Sequence, residues 1–283
     1  MRLVYHAGAL GDFITALPAI AAWRGPSDAV LLGRPAHAAL AVPPFSAAWD
    51  AGSARFAPLF APGAGAGEAA LIAGIEAALL FAGASSPLAE NLRHLGVPRV
   101  DRHDPFPAGP EPIVDYHLAS VGAAHLRGAL PRVNTSWPGA IAVEPGTVAI
   151  APGSGSAAKN WPMDSFVELE ALLAEKGLRS SWVMGPAEEQ AVEPPGRKAW
   201  RSLPLPILAH ALTRCRFFVG NDSGVTHLAA ACGCPTIALF GATDPLVWGP
   251  RGSVVRIVAS RTGAMEGISV REVFSTCLDV VGV

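Results

Sequence analysis

The sequence predicts an α/β protein built of two successive doubly wound units, each a parallel sheet covered by helices. Three observations carry this expectation. Short apolar runs of strand length alternate with helical stripes along most of the chain. The alternation lapses over residues 134–147 (NTSWPGAIAVEPGT), where turn-formers take over, and then starts again. The chain has 283 residues, at the upper edge of the roughly 250–300 that a single core fills. Two domains follow, residues 1–140 and 141–283.

In the first domain Arg2–His6 is the opening strand. Residues 12–23 follow with Phe13, Leu17 and Ile20 at i, i+4 and i+7, one face of a helix. Pro18 predicts a kink or short break there, because it lacks the N–H that the helix ladder uses. Residues 29–32, Ala77–Phe81 and 99–101 read as strands, and 88–95 and 113–130 as helices. Residues 35–75, rich in Ala, Pro and Gly, show no assignable period. The second domain reads as strand 148–151, helix 163–176, strand 180–184, helix 205–214, strand 217–219, helix 225–232, and strands Thr236–Phe240 and 254–258. An amphipathic helix at 269–281 closes the chain and is a candidate to pack back on the first domain. Sheets of this kind bind ligands outside the carboxyl ends of their strands. Two of them in succession imply a cleft, with three unusual loops at its edge.

Composition limits what those loops can serve. With 21 basic and 23 acidic side chains, a net charge of −2 and a pI near 6.4, the chain is a poor binder of bulk nucleic acid, whose phosphates require clustered Lys and Arg. The cysteines Cys215, Cys232, Cys234 and Cys277 are too few for a disulfide framework at this length. Cys232 and Cys234, one residue apart, lack the spacing of a zinc site. The expectation is small buried thiols, no metal, and a reducing, cytoplasmic setting. The apolar N-terminus imitates a signal peptide, but Asp12 and Pro18 interrupt it. No uninterrupted apolar run reaches the ~18 residues of a spanning helix.

The first loop, residues 6–12 (HAGALGD), runs from strand through a glycine turn into a helix, and Gly8 and Gly11 let a ligand approach the backbone. Its spacing is not GxGxxG. Asp12 is either a helix N-cap or a carboxylate near enough to a bound hydroxyl to act as general base. The second loop, residues 151–162 (APGSGSAAKNWP), suits an anion cradle built on Ser154, Gly155 and Ser156, although it lacks the Gly-Lys-Ser/Thr of a Walker loop. Lys159, one of three lysines in the chain, is either an ordinary solvated charge or a phosphate contact.

The third loop, residues 220–227 (GNDSGVTH), also enters a helix. Val225, Leu228, Ala229 and Cys232 fall at i, i+3, i+4 and i+7 and should face the core. His227, roughly 200° round the helix from Val225, should point away from that stripe, as a structural hydrogen-bonding residue or a functional one. The amides of Ser223, Gly224 and Val225 at a helix start suit a phosphate, and Asp222 can orient a sugar hydroxyl. Asp222-Ser223-Gly224 with His227 nearby looks superficially like a serine-protease nucleophile, but no third partner is assignable. Residues 240–250 (FGATDPLVWGP) are a ligand rim or a rigid turn.

Taken together, GALGDFITALPAI, APGSGSAAKNWP, MGPAEEQA and GNDSGVTHLAAACGCPTIALFGATDPLVWGP resemble the heptosyltransferase-like glycosyltransferases of family 9. The likeness is strongest over residues 148–250 and 7–20, and the long C-terminal motif is its most specific part. It implies a GT-B architecture, two Rossmann-like domains facing a cleft, and inverting transfer of a heptose-like sugar from a nucleotide diphosphate, ADP-heptose first among them, without metal or cofactor. It implies that Asp12 is the base and that Lys159 with residues 154–156 steadies the diphosphate. Gly11, Asp222, Ser223, Gly224, Val225 and His227 would hold the donor, and Glu189, or equally Glu188, its ribose. The partners would be the nucleotide sugar and a saccharide acceptor in lipopolysaccharide or a related cell-envelope glycan, with at most peripheral contact with the inner membrane. One departure touches the acceptor: residues 1–145 hold nine arginines, no lysine and eleven acids, a poor match to an anionic lipid-linked acceptor. Two alternatives stand beside this reading, a non-catalytic nucleotide-sugar-binding protein of the same fold and a sugar-nucleotide epimerase or hydrolase.

Overall fold

The computed structural model describes residues 1–137, 141–185 and 199–282. Contacts divide the chain into two compact units, Met1–Ala129 and Leu130–Val283.

The first unit runs β1 (Arg2–His6), α1 (Leu10–Arg24), β2 (Ala29–Gly33), α2 (Pro35–Ala38), β3 (Ala47–Asp50), β4 (Ala77–Phe81), α3 (Leu88–His94), β5 (Arg99–His103) and α4 (Ile113–Ser120). All strand pairs are parallel, in the order β3-β2-β1-β4-β5. Three expectations change here. Helix α1 passes through Pro18 without a break: Phe13, Ile14, Leu17 and Ile20 are all buried on the sheet, and that burial outweighs one lost ladder bond. The helix expected over 113–130 stops at Ser120, since Gly122 turns into the left-handed region at φ 77, where a glycine carries no Cβ penalty. The unassigned stretch 35–75 holds α2, the edge strand β3 and 3-10 turns at Ala57–Phe60 and Ala66–Ile72.

The second unit runs β6 (Thr147–Ala151), α5 (Met163–Glu175), β7 (Arg179–Met184), β8 (Ala199–Arg201), α6 (Leu205–Leu212), β9 (Phe217–Asn221), α7 (Gly224–Ala231), β10 (Thr236–Phe240), α8 (Pro245–Trp248), β11 (Val255–Ala259) and α9 (Val270–Val281). Its parallel sheet has the order β11-β10-β9-β6-β7-β8. Every residue of β6, β9 and β10 is buried, as central strands covered on both faces must be. Trp161, Phe166 and Trp182 fill one side: the first two rings meet edge to face at 4.9 Å, and the two indole N–H groups donate to Ile268 O and Glu170 Oε1. Full burial of such a side chain contributes roughly 1.5–3 kcal/mol. Helix α9 packs on α5, β10 and β11.

Both sheets are doubly wound in the same sense. The order of strands reverses between β1 and β4 in the first unit and between β6 and β9 in the second. At such a reversal the loops leave neighbouring strands in opposite directions and open a crevice at the carboxyl ends. No helix among the described residues is long and apolar enough to cross a membrane.

Candidate functional site

The crevice of the first unit is a cavity of about 300 Å³ lined by Tyr5, His6, Ala7, Gly8 and Asp12 from the β1 side, Phe81, Ala82, Gly83 and Ser86 from the β4 side, and Pro105 and Phe106. Asp12 is the third residue of α1, whose N-cap is Ala9. It is therefore not the N-cap itself, yet its carboxylate still caps the helix start. Ala9 N donates to Asp12 Oδ2 at 3.1 Å, which satisfies one free amide of the first turn. The two sequence readings of Asp12 thus coexist, since the carboxylate that ties down the helix start also lines the cavity. Space at Gly8 is tight. A Cβ there would come within 3.0 Å of both Asp12 Oδ2 and His6 Cε1. Gly11 lies in the first turn of the same helix.

Three imidazoles are buried in this unit: His6 in the cavity wall, His117 against the Phe81 ring and His37 against the Phe13 ring. His6 is 2% exposed, His37 5% and His117 1%. Burial pushes the pKa of His6 down to about 3, with His117 and His37 adding to the effect, and those of His37 and His117 down to about 4. All three are neutral at physiological pH.

In the second unit the loops after β6, β9 and β10 converge. Lys159 Nζ donates to Asp222 Oδ2 at 2.7 Å, and Thr243 Oγ1 donates to the same oxygen at 2.7 Å. Asp222 is nearly buried, with 7% of its side chain exposed against 32% for Lys159. Asn221, the fully buried last residue of β9, locks the loop after β6 in place: its Oδ1 accepts from Trp161 N at 3.0 Å and its Nδ2 donates to Pro152 O at 2.6 Å. The same loop is tied internally by Ser154 Oγ, which meets Ser156 O and Asn160 Oδ1. Gly155 and Ser156 are exposed. Asp222, Ser223, Gly224 and Val225 lead into α7, whose first-turn amides have no carbonyl one turn back to bond. The result is a fixed ammonium and a helix start side by side, the arrangement that neutralises a developing anionic charge.

His227 departs from expectation. It is 7% exposed, and Thr226, Leu228, Ala229 and Ala230 are buried with it, whereas Val225 and Cys232 are only half-buried. Leu228 and Ala229 of the expected stripe are buried, but residues 226–230 run right round the helix, so α7 is covered on more than one face, as its packing on β9, β10 and α6 requires. Burial lowers the His227 pKa; Asp222 opposes this and Lys159 reinforces it. Glu188 and Glu189 lie outside the described residues. Reasoning from sequence passed over Thr243 and Asn221. The signal for Asn221 was a polar residue ending an otherwise apolar strand.

Residues 139–275, just under half the chain, match the family described as glycosyltransferase family 9 (heptosyltransferase). Lipopolysaccharide heptosyltransferase 1 of Escherichia coli K12 is 36% identical over 100 residues, which cover 33% of this chain and 31% of that protein. Lipooligosaccharide heptosyltransferase 2 of Haemophilus influenzae is 29% identical over 133 residues, 39% of this chain and 37% of the relative. The matched segments span about a third of the length of these curated relatives. In three dimensions the likeness extends over the whole chain. A family 9 glycosyl transferase from Veillonella parvula superposes with a TM-score of 0.79 at 14% identity, covering 99% of this chain and 96% of the other. ADP-heptose LPS heptosyltransferase II of E. coli gives 0.74 at 16% identity, covering 99% and 98%.

Proposed function

We propose, on the premise that the chain is a family 9 heptosyltransferase-like protein of GT-B fold, that it transfers a heptose-like sugar with inversion from a nucleotide diphosphate, ADP-heptose first among donors, to a saccharide hydroxyl. The observation that carries the proposal is the Lys159–Asp222–Thr243 cluster at the strand-order reversal of the second unit. It sets one cation beside the start of α7, where the diphosphate of a nucleotide sugar would gather charge as it leaves.

In this reading Asp12 takes the proton of the acceptor hydroxyl. The freed oxygen attacks the anomeric carbon from the face opposite the diphosphate, and the bond to the diphosphate oxygen breaks. One carboxylate base and one displacement give inversion. Lys159, Ser154, Gly155, Ser156 and the α7 amides of Gly224 and Val225 hold the departing diphosphate; Asp222 and His227 hold the sugar end, and Glu189 the ribose. No metal or cofactor is needed, because Lys159 and the helix start supply the positive charge; dialysis against EDTA should leave the rate unchanged. The product would enter lipopolysaccharide or a related envelope glycan on the cytoplasmic side of the membrane, with peripheral contact at most.

The first measurement is thermal stabilisation by a panel of nucleotides and nucleotide sugars including ADP-heptose, since a ligand of the native state raises apparent stability by mass action. Stabilisation by ADP and ADP-heptose above their UDP counterparts is expected, and no response to any of them sinks the donor assignment. The Asp12→Asn variant then separates an enzyme from a binding protein. It should keep donor affinity and lose at least a hundredfold in turnover, within the ~10²–10⁴ that general-base catalysis contributes.

A further inference from the structure

The loop after β10, a ligand rim or a rigid turn by its sequence, supplies a side chain to which the chemistry above gives no task. Strand β9 lies between β6 and β10 in the sheet. Asp222, one residue past its end, is therefore reached from both sides, by Lys159 from the loop after β6 and by Thr243 from the loop after β10. Both donors, each at 2.7 Å, fall on the same oxygen, Oδ2. The backbone is pinned as well, since Asp222 N donates to Leu239 O at 3.0 Å. With the peptide fixed, only rotation of the side chain is left, and the two bonds to Oδ2 stop it. The other oxygen, Oδ1, takes no hydrogen bond from any described residue, yet it is not one of the atoms sealed from solvent. A carboxylate whose side chain is only 7% exposed thus keeps one oxygen open beside the start of α7. Leaving an acceptor of a nearly buried charge without a donor is costly, and a ligand hydroxyl would remove that cost.

We propose that Thr243 is a positioning residue of the donor site: by holding Oδ2 together with Lys159, it turns Asp222 so that Oδ1 meets a hydroxyl of the sugar being transferred. This rests on the reading of the second unit as the donor site. Lys159 alone does not fix the carboxylate. Its side chain is 32% exposed on a flexible stem, and its ammonium is drawn toward the diphosphate in the proposed reaction. Thr243 has a short β-branched side chain with few rotamers, on a loop that is tied down where Asp244 caps α8. The threonine therefore keeps its bond to Oδ2 while the lysine serves the diphosphate. A sugar hydroxyl donating to Oδ1 makes a charge-assisted hydrogen bond. The nucleotide does not use this oxygen, so Thr243 acts on the sugar end of the donor and not on the nucleotide end.

The test is calorimetric titration of the full chain with ADP-heptose and, separately, with ADP, which lacks the transferred sugar. Thr243→Val removes the hydroxyl and keeps the shape of the side chain. It should bind ADP-heptose about tenfold more weakly, the effect of one hydrogen bond to a charged group, and ADP within about twofold of the wild type. Thr243→Ser should recover most of the loss, and Thr243→Ala, which adds no bulk, should behave as Thr243→Val does. Because Thr243 acts through Asp222, adding Thr243→Val to Asp222→Ala should weaken ADP-heptose no further. A loss shared equally by ADP and ADP-heptose, as a merely loosened loop would give, overturns the assignment. So does ADP-heptose affinity that Thr243→Val leaves unchanged, or a further loss on the Asp222→Ala background. The donor reading itself is judged on the wild type. Binding of neither ligand removes that reading and the role of Thr243 with it, whereas wild-type binding that Thr243→Val leaves untouched removes the role alone.

Discussion

Lys159 and Asp222 are 63 residues apart and share a 2.7 Å bond. Their pairing makes stability and chemistry separable at a single oxygen. Replacing Lys159 with Met leaves a carboxylate that is 7% exposed with Thr243 as its remaining hydrogen-bond donor at Oδ2. We expect a loss of roughly 1–3 kcal/mol, at the low end because the lysine is a third exposed and solvent screens the pair. Adding Asp222→Asn removes the stranded charge and should recover most of that loss without restoring turnover. Urea midpoints and rates on the wild type and the two variants check both halves. Both residues could be chosen from the sequence, because lysines are scarce and both loops follow strands. That they hold each other could not, since a contact across 63 residues is decided by strand order and not by spacing. The burial of His227 was hidden for a related reason: a helical wheel gives the angle between side chains but not where the sheet lies.

Among the elements, what could be read were the strands and helices with strong periods. Strands β1, β4 and β10 have the bounds that their apolar runs suggested, and β6, β7 and β9 differ by one or two residues. Two strands escaped because their residues carry little signal. Strand β3, AAWD, is an edge strand with alternating burial inside an Ala- and Pro-rich stretch, and β8 has three residues. The helix stop at Ser120 depended on Gly122, a residue that helices tolerate at moderate cost. Gly220 shows the opposite case, a glycine whose need is evident only in three dimensions. It pairs with Ala151 across the β6/β9 reversal, and a Cβ there would lie 2.9 Å from both Ala151 O and the Phe218 ring. Neither the backbone carbonyl nor a fully buried ring can yield cheaply. Gly220→Ala should therefore cost about 1–3 kcal/mol by overpacking, a fall of several degrees in Tm by calorimetry. Because Asn221 and Asp222 follow directly, ADP affinity should fall in the same variant, and a stability loss with unchanged ADP affinity would show that the site does not depend on this register.

At the scale of the whole molecule, the two units share a fold but differ in how they should respond to acid. The first contains His6, His37 and His117, all buried, with pKa values lowered to about 3, 4 and 4; half-buried His103 is shifted in the same direction. In the unfolded chain each would take a proton as pH falls through about 6.5. The native unit refuses those protons until about pH 4. Between these limits the unfolded state binds more protons than the native one, so stability is full above pH 6.5 and falls as pH falls. Three such groups give a slope of at most roughly 4 kcal/mol per pH unit. Ordinary carboxylates titrate at about 4, so between pH 6.5 and 5 the slope belongs chiefly to the imidazoles. In the second unit His227 shifts the same way but stands with fewer companions. Hydrogen exchange read peptide by peptide should therefore show β1, β2 and β4 losing protection between pH 6.5 and 5, after correction for intrinsic exchange, while β6, β9 and β10 lose less. The double variant His37→Leu with His117→Leu removes two of the three strongly shifted groups while leaving His6 in the Asp12 cavity, and it should flatten the first unit's dependence by more than half. Equal, pH-independent protection in both units would mean that the three imidazoles find compensating partners as the unit takes up protons.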